Sequence, residues 1–312
     1  MHVLLTGAGG FVGQTLLQRL LNDFEVLPWT QLTLLDVQLP PVPADARIRA
    51  VAGSMADPQV LAAALEQPAD LVFHLASVPG GLAERDYLLG RQVNLDATLS
   101  LFEGLQRPDR PPRVVFASTI AVYGTLPTLP MDESAPLRPQ LSYGTQKLIG
   151  ELLLEDFSRR GGLDGIALRL PGIVARPPQS SGLLSAFMSD LFWRLRDGEP
   201  FVCPVASDGT AWWMSAACCV DNLLHAAKLP AEKLVGHRAI TLPVLHLSLA
   251  AVVEGLCQRF GENRRSLVSY QPDPSLEQAF ARYPPLATPT AEALGFQHDG
   301  DLTELVLRTL DR

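Results

Sequence analysis

The sequence predicts an α/β fold, a doubly wound parallel sheet followed by a smaller C-terminal lobe. Through the first half of the chain, short and nearly continuous apolar runs alternate with amphipathic helical patterns. Such runs are typical of strands buried on both faces of a parallel sheet, and the alternation implies right-handed β–α–β crossovers. After residue 170, prolines interrupt this pattern, and strand-like and helix-like pieces interleave irregularly.

The elements of the first half follow one another in a regular order. The predicted strands cover residues 3–6, 32–36, 48–51, 71–75, 114–118 and 168–170. The predicted helices cover residues 11–21, 58–65, 83–105 and 142–157. Asp57 is expected to cap the second helix, with Pro58 at its first position. We therefore expect one domain over residues 1–170 and a lobe over residues 171–312, with some segments of the lobe returning to the main sheet.

Composition and charge exclude several classes of protein. The chain has 312 residues and a formal charge of -8, which disfavours partners such as nucleic acid or an anionic membrane surface. No apolar run reaches the ~20 residues that span a bilayer. The four cysteines form no CxxC pair, so no metal site is expected. We expect them to be reduced thiols, as in a protein of the cytoplasm. The N-terminus is interpreted as a first strand and not as a signal peptide.

A glycine-rich turn joins the first strand to the first helix. Gly7 permits a tight turn, Gly10 allows backbone amides to approach a pyrophosphate, and Gly13 allows the helix to pack closely on the sheet. Phe11 and Val12 open the helix, whose N-terminus offers free N–H groups and partial positive charge to phosphates. A glycine-rich loop without a ligand is the weaker alternative.

Asp36 ends the second strand, roughly 20 residues beyond the turn, where dinucleotide-binding folds carry the acid that binds the adenosine ribose. A carboxylate there accepts hydrogen bonds from ribose hydroxyls and repels a 2′-phosphate. No arginine follows directly to bind such a phosphate. The sequence therefore predicts a Rossmann domain that binds NAD and not NADP.

Tyr143 and Lys147 are four residues apart at the start of a predicted helix, so their side chains share one face. A free tyrosine has a pKa near ~10, and a nearby cation lowers that value. Tyr143 can then take the proton of an alcohol while hydride leaves its carbon. Ser118 and Thr119 end the fifth strand, at the sheet edge where such folds bind ligands. A hydroxyl there can form a hydrogen bond with the substrate oxygen, or it can simply form one with a nearby backbone group.

Together these motifs resemble the extended short-chain dehydrogenase/reductase family, also called the NAD-dependent epimerase/dehydratase family. The resemblance rests on residues 6–13, Asp36, 74–77, Asn94, 116–124, Tyr143 with Lys147, 168–171 and 220–223. It implies that further residues line the cofactor, namely Ser54, Met55, Leu75, Ala76, Ser77, Asn94, Lys147, Pro171 and Ile173. It also implies that Thr119, more than Ser118, is the catalytic hydroxyl, and that the two long helices pair in a homodimer.

Differences from particular members narrow the activity. Ile120 and Ala121 stand where sugar-nucleotide dehydratases carry an acid pair, and Gly172 stands where galactose-type epimerases carry an asparagine. Residues 142–153, 168–177 and 222–228 are most similar to D-erythronate dehydrogenases, a group that oxidises the 2-hydroxyl of a four-carbon sugar acid. Relatives carry arginines at two positions that are Thr210 and Ala217 here. Arg176 is the remaining candidate for the substrate carboxylate, and a surface arginine before a proline turn is the equal alternative.

The sequence thus favours NAD-dependent oxidation of a small sugar acid, D-erythronate to 2-oxo-tetronate, with Tyr143 as general base and no metal. A nucleotide-sugar epimerase is the alternative, since the C-terminal lobe is long enough to bind a nucleoside diphosphate. A non-catalytic dinucleotide sensor is disfavoured, because the Tyr143–Lys147 pair is present.

Overall fold

The computed structural model describes residues 1–178 and 184–310. Its strands in chain order are β1 (His2–Thr6), β2 (Gln31–Asp36), β3 (Ile48–Ala52), β4 (Leu71–His74), β5 (Arg113–Thr119), β6 (Met131–Asp132), β7 (Asp164–Leu170), β8 (Gly172–Val174), β9 (Phe201–Cys203), β10 (Thr210–Ser215), β11 (Ala239–Thr241), β12 (Leu245–Ser248), β13 (Val268–Tyr270) and β14 (Leu286–Ala287). Its α-helices are α1 (Phe11–Asn22), α2 (Pro58–Ala64), α3 (Gly80–Arg85), α4 (Tyr87–Arg91), α5 (Ala97–Leu105), α6 (Ser142–Arg159), α7 (Ala186–Asp197), α8 (Ala216–Lys228), α9 (Leu249–Phe260), α10 (Pro274–Phe280), α11 (Pro289–Ala293) and α12 (Leu302–Leu310).

The predicted doubly wound parallel sheet is confirmed. Seven strands lie in the order β11-β7-β5-β4-β1-β2-β3, and β1 pairs in parallel with both β2 and β4. Connections leave β1 toward one edge and later return to its other side, so the strand order reverses at β1. Ligands of such sheets bind beyond the carboxyl ends of the strands at this reversal. A ligand is therefore expected to bind at the turn after β1 and at the ends of β2, β4 and β5.

Apolar contact between strand faces and helices stabilises this sheet. The core on one face includes Leu4, Val72 and Phe116 from strands, packed with Phe102 of α5 and Leu154 of α6. These strand positions are buried along almost their whole length, as the continuous apolar runs predict.

The chain divides into two compact units. Unit 1 comprises Met1–Val122, Pro139–Arg169 and Val220–Ile240, and contains almost all of the seven-stranded sheet. Unit 2 comprises Tyr123–Arg138, Leu170–Cys219 and Thr241–Arg312. Within unit 2, β10 pairs antiparallel with β12 and parallel with β8, and buried residues of α7 and α9 pack into the same core.

The helix boundary predicted from local sequence is correct at the start of α2 and wrong around residue 86. Asp57 caps α2 by accepting a hydrogen bond from the Gln59 amide at 2.8 Å, as predicted. The continuous helix predicted over residues 83–105 is wrong, because the chain forms α3, α4, a π-helix over Gln92–Asp96, and α5. Asp86 begins a new helix by accepting from the Leu89 amide, and a Cβ at Gly90 would lie 2.8 Å from the Cβ of Ala83. This close approach requires a corner between α3 and α4.

Within residues 1–178 and 184–310, no helix combines the length and apolar character needed to cross a bilayer. The same residues contain no group of three or more His, Cys, Asp or Glu side chains arranged to hold a metal ion. Cys203, Cys218, Cys219 and Cys257 are buried free thiols.

Candidate active site

The glycine turn after β1 is a cradle in which side chains would collide with backbone. Gly7 has a φ of 75°, and a Cβ there would lie 2.5 Å from the Ala76 amide nitrogen. A Cβ at Gly13 would lie 2.0 Å from the Gly7 carbonyl oxygen. Gly10 occupies the N-cap position of α1 but has no side chain with which to cap it. The positive end of α1, opened by Phe11 and Val12, is thus suited to an anionic group.

Asp36 ties this turn to the end of β2. One carboxylate oxygen accepts from the Gly9 amide at 2.9 Å, and the other accepts from the Gln38 amide at 3.0 Å. Glycine is also required at position 9, because a Cβ there would lie 1.9 Å from the Gln38 carbonyl oxygen. This requirement was not predicted from the sequence. The next strand, β3, ends just before Ser54 and the buried Met55.

The segment after β4 forms the opposite wall of the glycine turn. The Leu75 amide donates to the Thr6 carbonyl at 3.1 Å, and Ala76 is the neighbour that excludes a side chain at Gly7. Ser77 follows and is exposed. Asn94, buried in the π-helix, clamps the next residue, since its side chain accepts from the Val78 amide at 2.7 Å and donates to the Val78 carbonyl at 3.1 Å.

Lys147 is buried, with 1% of its surface exposed, and lies beneath Tyr143 on α6. Its Nζ donates to the Ala117 carbonyl oxygen at 2.9 Å and lies 5.9 Å from the centre of the Tyr143 ring. Burial lowers the pKa of Lys147 to about 7, although the negative charge of Glu151 opposes that shift. The predicted pair thus shares one helix face, and its cation sits in a low-dielectric environment.

Close packing holds the start of α6 against the end of β5. A Cβ at Gly144 would lie 2.6 Å from the Ala121 carbonyl oxygen, so only glycine allows this approach. Thr119 ends β5 and is half-buried, and its hydroxyl oxygen accepts from the Ala121 amide at 3.1 Å. The hydroxyl hydrogen of Thr119 is not used in that bond. Tyr143, Lys147 and Thr119 therefore gather at one end of β5.

Ser118 faces the opposite direction, into a buried polar cluster. Its hydroxyl donates to the Glu151 carboxylate, which also forms a salt bridge with Arg169 at 2.8 Å. All three side chains are almost fully buried. Arg169 was predicted only as part of a motif, and Glu151 was not predicted. A glutamate one helical turn after the lysine, on its buried face, was the available signal.

His74 is held by neutral hydroxyls on both ring nitrogens. Nδ1 lies 2.7 Å from the Thr6 hydroxyl, and Nε2 lies 3.0 Å from the Thr98 hydroxyl. Burial, and secondarily the charge of Lys147, keep the pKa of His74 well below its usual range. This histidine therefore stays neutral and fixes the carboxyl end of β4.

The remaining predicted residues belong to unit 2. Pro171 is buried before β8, and Ile173 is half-buried within it. Arg176 is fixed through its backbone, because its amide donates to the Ser189 hydroxyl at 3.0 Å and its carbonyl accepts from the Trp193 indole at 2.5 Å. A Cβ at Gly172 would lie 2.9 Å from the Trp212 carbonyl oxygen, which explains the glycine there.

The geometry of unit 1 combines a glycine turn that leaves no room for side chains, a carboxylate at the end of β2, and a Tyr–Lys–Thr group at the end of β5. A model of the NAD dependent epimerase/dehydratase family matches residues 3–237. The chain belongs to this family. It is accordingly an NAD-dependent oxidoreductase of the extended short-chain dehydrogenase/reductase type.

Individual relatives of this epimerase/dehydratase family member match over its full length. It is 40% identical to a D-erythronate dehydrogenase of Cupriavidus necator, across 98% of this chain and 97% of that enzyme. It is 33% identical to a D-erythronate dehydrogenase of Haemophilus influenzae, across 100% and 99%. Among solved structures it resembles a nucleoside-diphosphate-sugar epimerase of Agrobacterium tumefaciens, with a TM-score of 0.92 and 34% identity, covering 100% of this chain and 94% of that one.

Proposed function

We propose that this chain oxidises the 2-hydroxyl of a small sugar acid, with D-erythronate to 2-oxo-tetronate as the specific reaction. The observation that carries this proposal is full-length similarity to two D-erythronate dehydrogenases, one at 40% identity. The coarser conclusion, an NAD-dependent sugar-acid dehydrogenase, agrees with the family and with the Tyr–Lys–Thr group.

The chain's own residues would hold NAD along the carboxyl ends of the strands. The turn at Gly7, Gly10 and Gly13 would take the pyrophosphate against the N-terminus of α1. Asp36 would accept hydrogen bonds from the adenosine ribose. The other proposed cofactor contacts are Phe11, Val12, Ser54, Met55, Leu75, Ala76, Ser77, Asn94, Tyr143, Lys147, Pro171 and Ile173. When bound, NAD supplies the hydride acceptor.

Three side chains would take part in removing the proton of the 2-hydroxyl. Thr119 would donate its remaining hydroxyl hydrogen to the substrate oxygen, because its oxygen already accepts from the Ala121 amide. Tyr143 would accept the proton of the 2-hydroxyl as general base. Lys147 would stabilise the phenolate by its charge, and the Ala117 carbonyl keeps its Nζ in place. Ser118 is left out of this mechanism, because its hydroxyl is committed to Glu151.

Arg176 is our candidate for the substrate carboxylate. A guanidinium can bind a carboxylate through two parallel hydrogen bonds, and the backbone of Arg176 is held on both sides by α7. Arg176→Lys keeps the charge but loses the paired geometry. It should raise KM for the acid about tenfold or more with little change in KM for NAD. Equal effects on both KM values would contradict the assignment.

Formation of NADH with a panel of four- to six-carbon sugar acids tests the reaction. We expect D-erythronate to be oxidised with the highest kcat/KM, and Tyr143→Phe to be inactive with the same acid. The Thr145→Ala variant, changed at an exposed position on the same helix, serves as the control. Inactivity toward every acid of the panel would contradict the proposal.

Nucleotide-sugar epimerisation is the second candidate, favoured by the similarity to the Agrobacterium epimerase. An epimerase must return the hydride to its substrate, so NAD remains bound through the cycle. NAD that survives gel filtration, with turnover of a nucleoside-diphosphate sugar, would support epimerisation. NAD that exchanges freely supports the dehydrogenase.

We further propose that the chain forms a homodimer through α5 and α6 and works in the cytoplasm. Leu152 on α6 is 59% exposed, which suits a position covered by a second copy. Light scattering should give a dimer for the unmodified chain and a monomer for Leu152→Glu.

Four buried free thiols fit a reducing compartment, and cell fractionation tests that location.

A further inference from the structure

The helix that carries Tyr143 is fastened on both sides of this residue to one other segment, residues 78–86, here called the arm. The arm runs from the end of the loop after β4 through α3. Ser142 and Gln146 bracket Tyr143 in sequence. Ser142 is hydrogen-bonded to Glu84 of the arm, whereas Gln146 is linked to Val78 of the arm through the side chain of Asn94. The arm is therefore connected to α6 on either side of the proposed base, directly at Ser142 and through Asn94 at Gln146.

The first link is a buried amide chain. The Asn94 side chain bonds both backbone groups of Val78, and its Nδ2 also donates to the Gln146 side-chain oxygen at 2.9 Å. Gln146 is 4% exposed, and its Nε2 has no hydrogen-bond partner among residues 1–178 and 184–310. A buried donor without a partner destabilises the fold. Packing or stability alone therefore does not account for glutamine at this position.

The second link lies at the N-terminus of α6. Leu141 occupies the N-cap position and makes no side-chain cap. The Glu84 carboxylate, from the arm, accepts from the Ser142 amide instead. Between the two links, Gly80 lies against the Tyr143 ring, since a Cβ built on Gly80 would be 3.6 Å from the ring Cδ1. The arm thus contacts the ring itself as well as its neighbours.

We propose that Glu84 and Gln146 are positioning residues, which hold the Tyr143 phenol over Lys147 by fixing the arm to α6. This inference rests on the proposed role of Tyr143 as general base. Loosening either link lets the ring move away from the lysine cation. The phenolate then becomes less favoured, so the base ionises at a higher pH. Small displacements of a reacting group cost large factors in rate.

Matched variants of the full-length chain with NAD test this role. Glu84→Ala removes the acceptor, whereas Glu84→Gln keeps an oxygen for the Ser142 amide. Gln146→Met removes the acceptor for Asn94 at similar volume. We expect Glu84→Ala and Gln146→Met to lower kcat ten- to a hundredfold, to change KM little, and to move the acid limb of the kcat–pH profile upward. Glu84→Gln should stay near the unmodified rate, as should the control Glu155→Ala, at an exposed position of α6.

Hydrogen exchange gives a readout that does not depend on activity. Amides of residues 78–86 and 142–146 should exchange faster in Glu84→Ala and Gln146→Met than in Glu155→Ala. Unchanged exchange there would overturn the proposal, as would an unchanged kcat–pH profile in variants that merely melt at lower temperature. Tyr143→Phe separates the two claims. If it retains the unmodified rate, the assignment of the base fails, while the exchange result still decides whether the links hold the arm.

Discussion

At the scale of single residues, Lys147 is costly to fold and useful for chemistry. Burial lowers its pKa to about 7, so below this pH the folded chain carries an ammonium in an apolar setting. The Ala117 carbonyl and the charge of Glu151 offset part of that cost. The proposed mechanism uses this cation to stabilise a phenolate, a role that a solvated lysine would fill less well.

Lys147→Met should therefore stabilise the protein while abolishing oxidation. The unfolded lysine binds its proton up to a pH of about 10.5, whereas the folded one releases it near 7. Between these values, loss of the Lys147 proton contributes stability to the folded chain as pH rises, by about 1.4 kcal/mol per unit. The advantage of Lys147→Met in unfolding free energy should thus shrink by about 3 kcal/mol from pH 6 to pH 9. Urea unfolding at both pH values measures it, and an advantage independent of pH would contradict the buried, titrating amine.

Adjacent hydroxyls at the end of β5 should behave differently on removal. Thr119→Ala removes the proposed donor to the substrate oxygen and should lower kcat by about a hundredfold or more, with unfolding free energy little changed. Ser118→Ala removes a donor to buried Glu151 and should cost about 2 kcal/mol of stability, with kcat nearly intact. Steady-state kinetics and urea unfolding on both variants check this contrast. The reverse assignment of effects would make Ser118 the catalytic hydroxyl.

The same residues show what the sequence could predict about the site. Spacing alone predicts that Tyr143 and Lys147 lie on one helix face, because side chains four residues apart point in nearly the same direction from a helix. Contacts between distant segments could not be predicted. Glu84 caps a helix that begins 58 residues later, and the Gly9 amide reaches the carboxylate of Asp36. Neither contact leaves a local pattern in the sequence.

At the scale of elements, the predicted strands and helices are correct where the local pattern of apolar residues is strong. The apolar runs of β1, β2 and β5 are buried almost throughout, so their pattern and their burial agree. The region over residues 83–105 failed, because its helical period continues across corners that tertiary contacts impose. The close approach at Gly90 and the π-helix at Asn94 depend on neighbours that a sequence window does not contain.

Packing between α6 and the turn after β5 yields a prediction for Gly144. Gly144→Ala places a Cβ within 2.6 Å of the Ala121 carbonyl oxygen, so α6 must move away. We expect kcat to fall about tenfold or more, since Tyr143 and Lys147 move with the helix, and unfolding free energy to fall by about 1–3 kcal/mol. Thr145→Ala, one residue later and exposed, should change neither quantity. A fully active Gly144→Ala would show that this approach does not set the geometry.

At the scale of the whole molecule, the two units do not simply follow one another along the chain, because each is built from three separate segments. Tyr123–Arg138 belongs to unit 2, and Val220–Ile240 returns to unit 1, where β11 lies beside β7 at the sheet edge. Pairing across such sequence distances is decided by burial of the whole sheet, and a strand of three residues carries little period of its own. The division of roles at residue 170 therefore remains a prediction.

Cofactor binding should be measurable as stability of the whole molecule. A ligand that binds only the folded state stabilises it by about 2.7 kcal/mol at a hundred times its Kd. NAD should therefore raise the Tm of the unmodified chain, and NADP at equal concentration should raise it less, because the Asp36 carboxylate repels a 2′-phosphate. Asp36→Ala should weaken the response to NAD and also loosen the turn, since the Gly9 amide loses its acceptor. Pairing it with Gln38→Arg should shift the preference, so that NADP raises the Tm more than NAD does. Equal shifts by NAD and NADP in the unmodified chain would contradict the assignment of Asp36 as the residue that selects the cofactor.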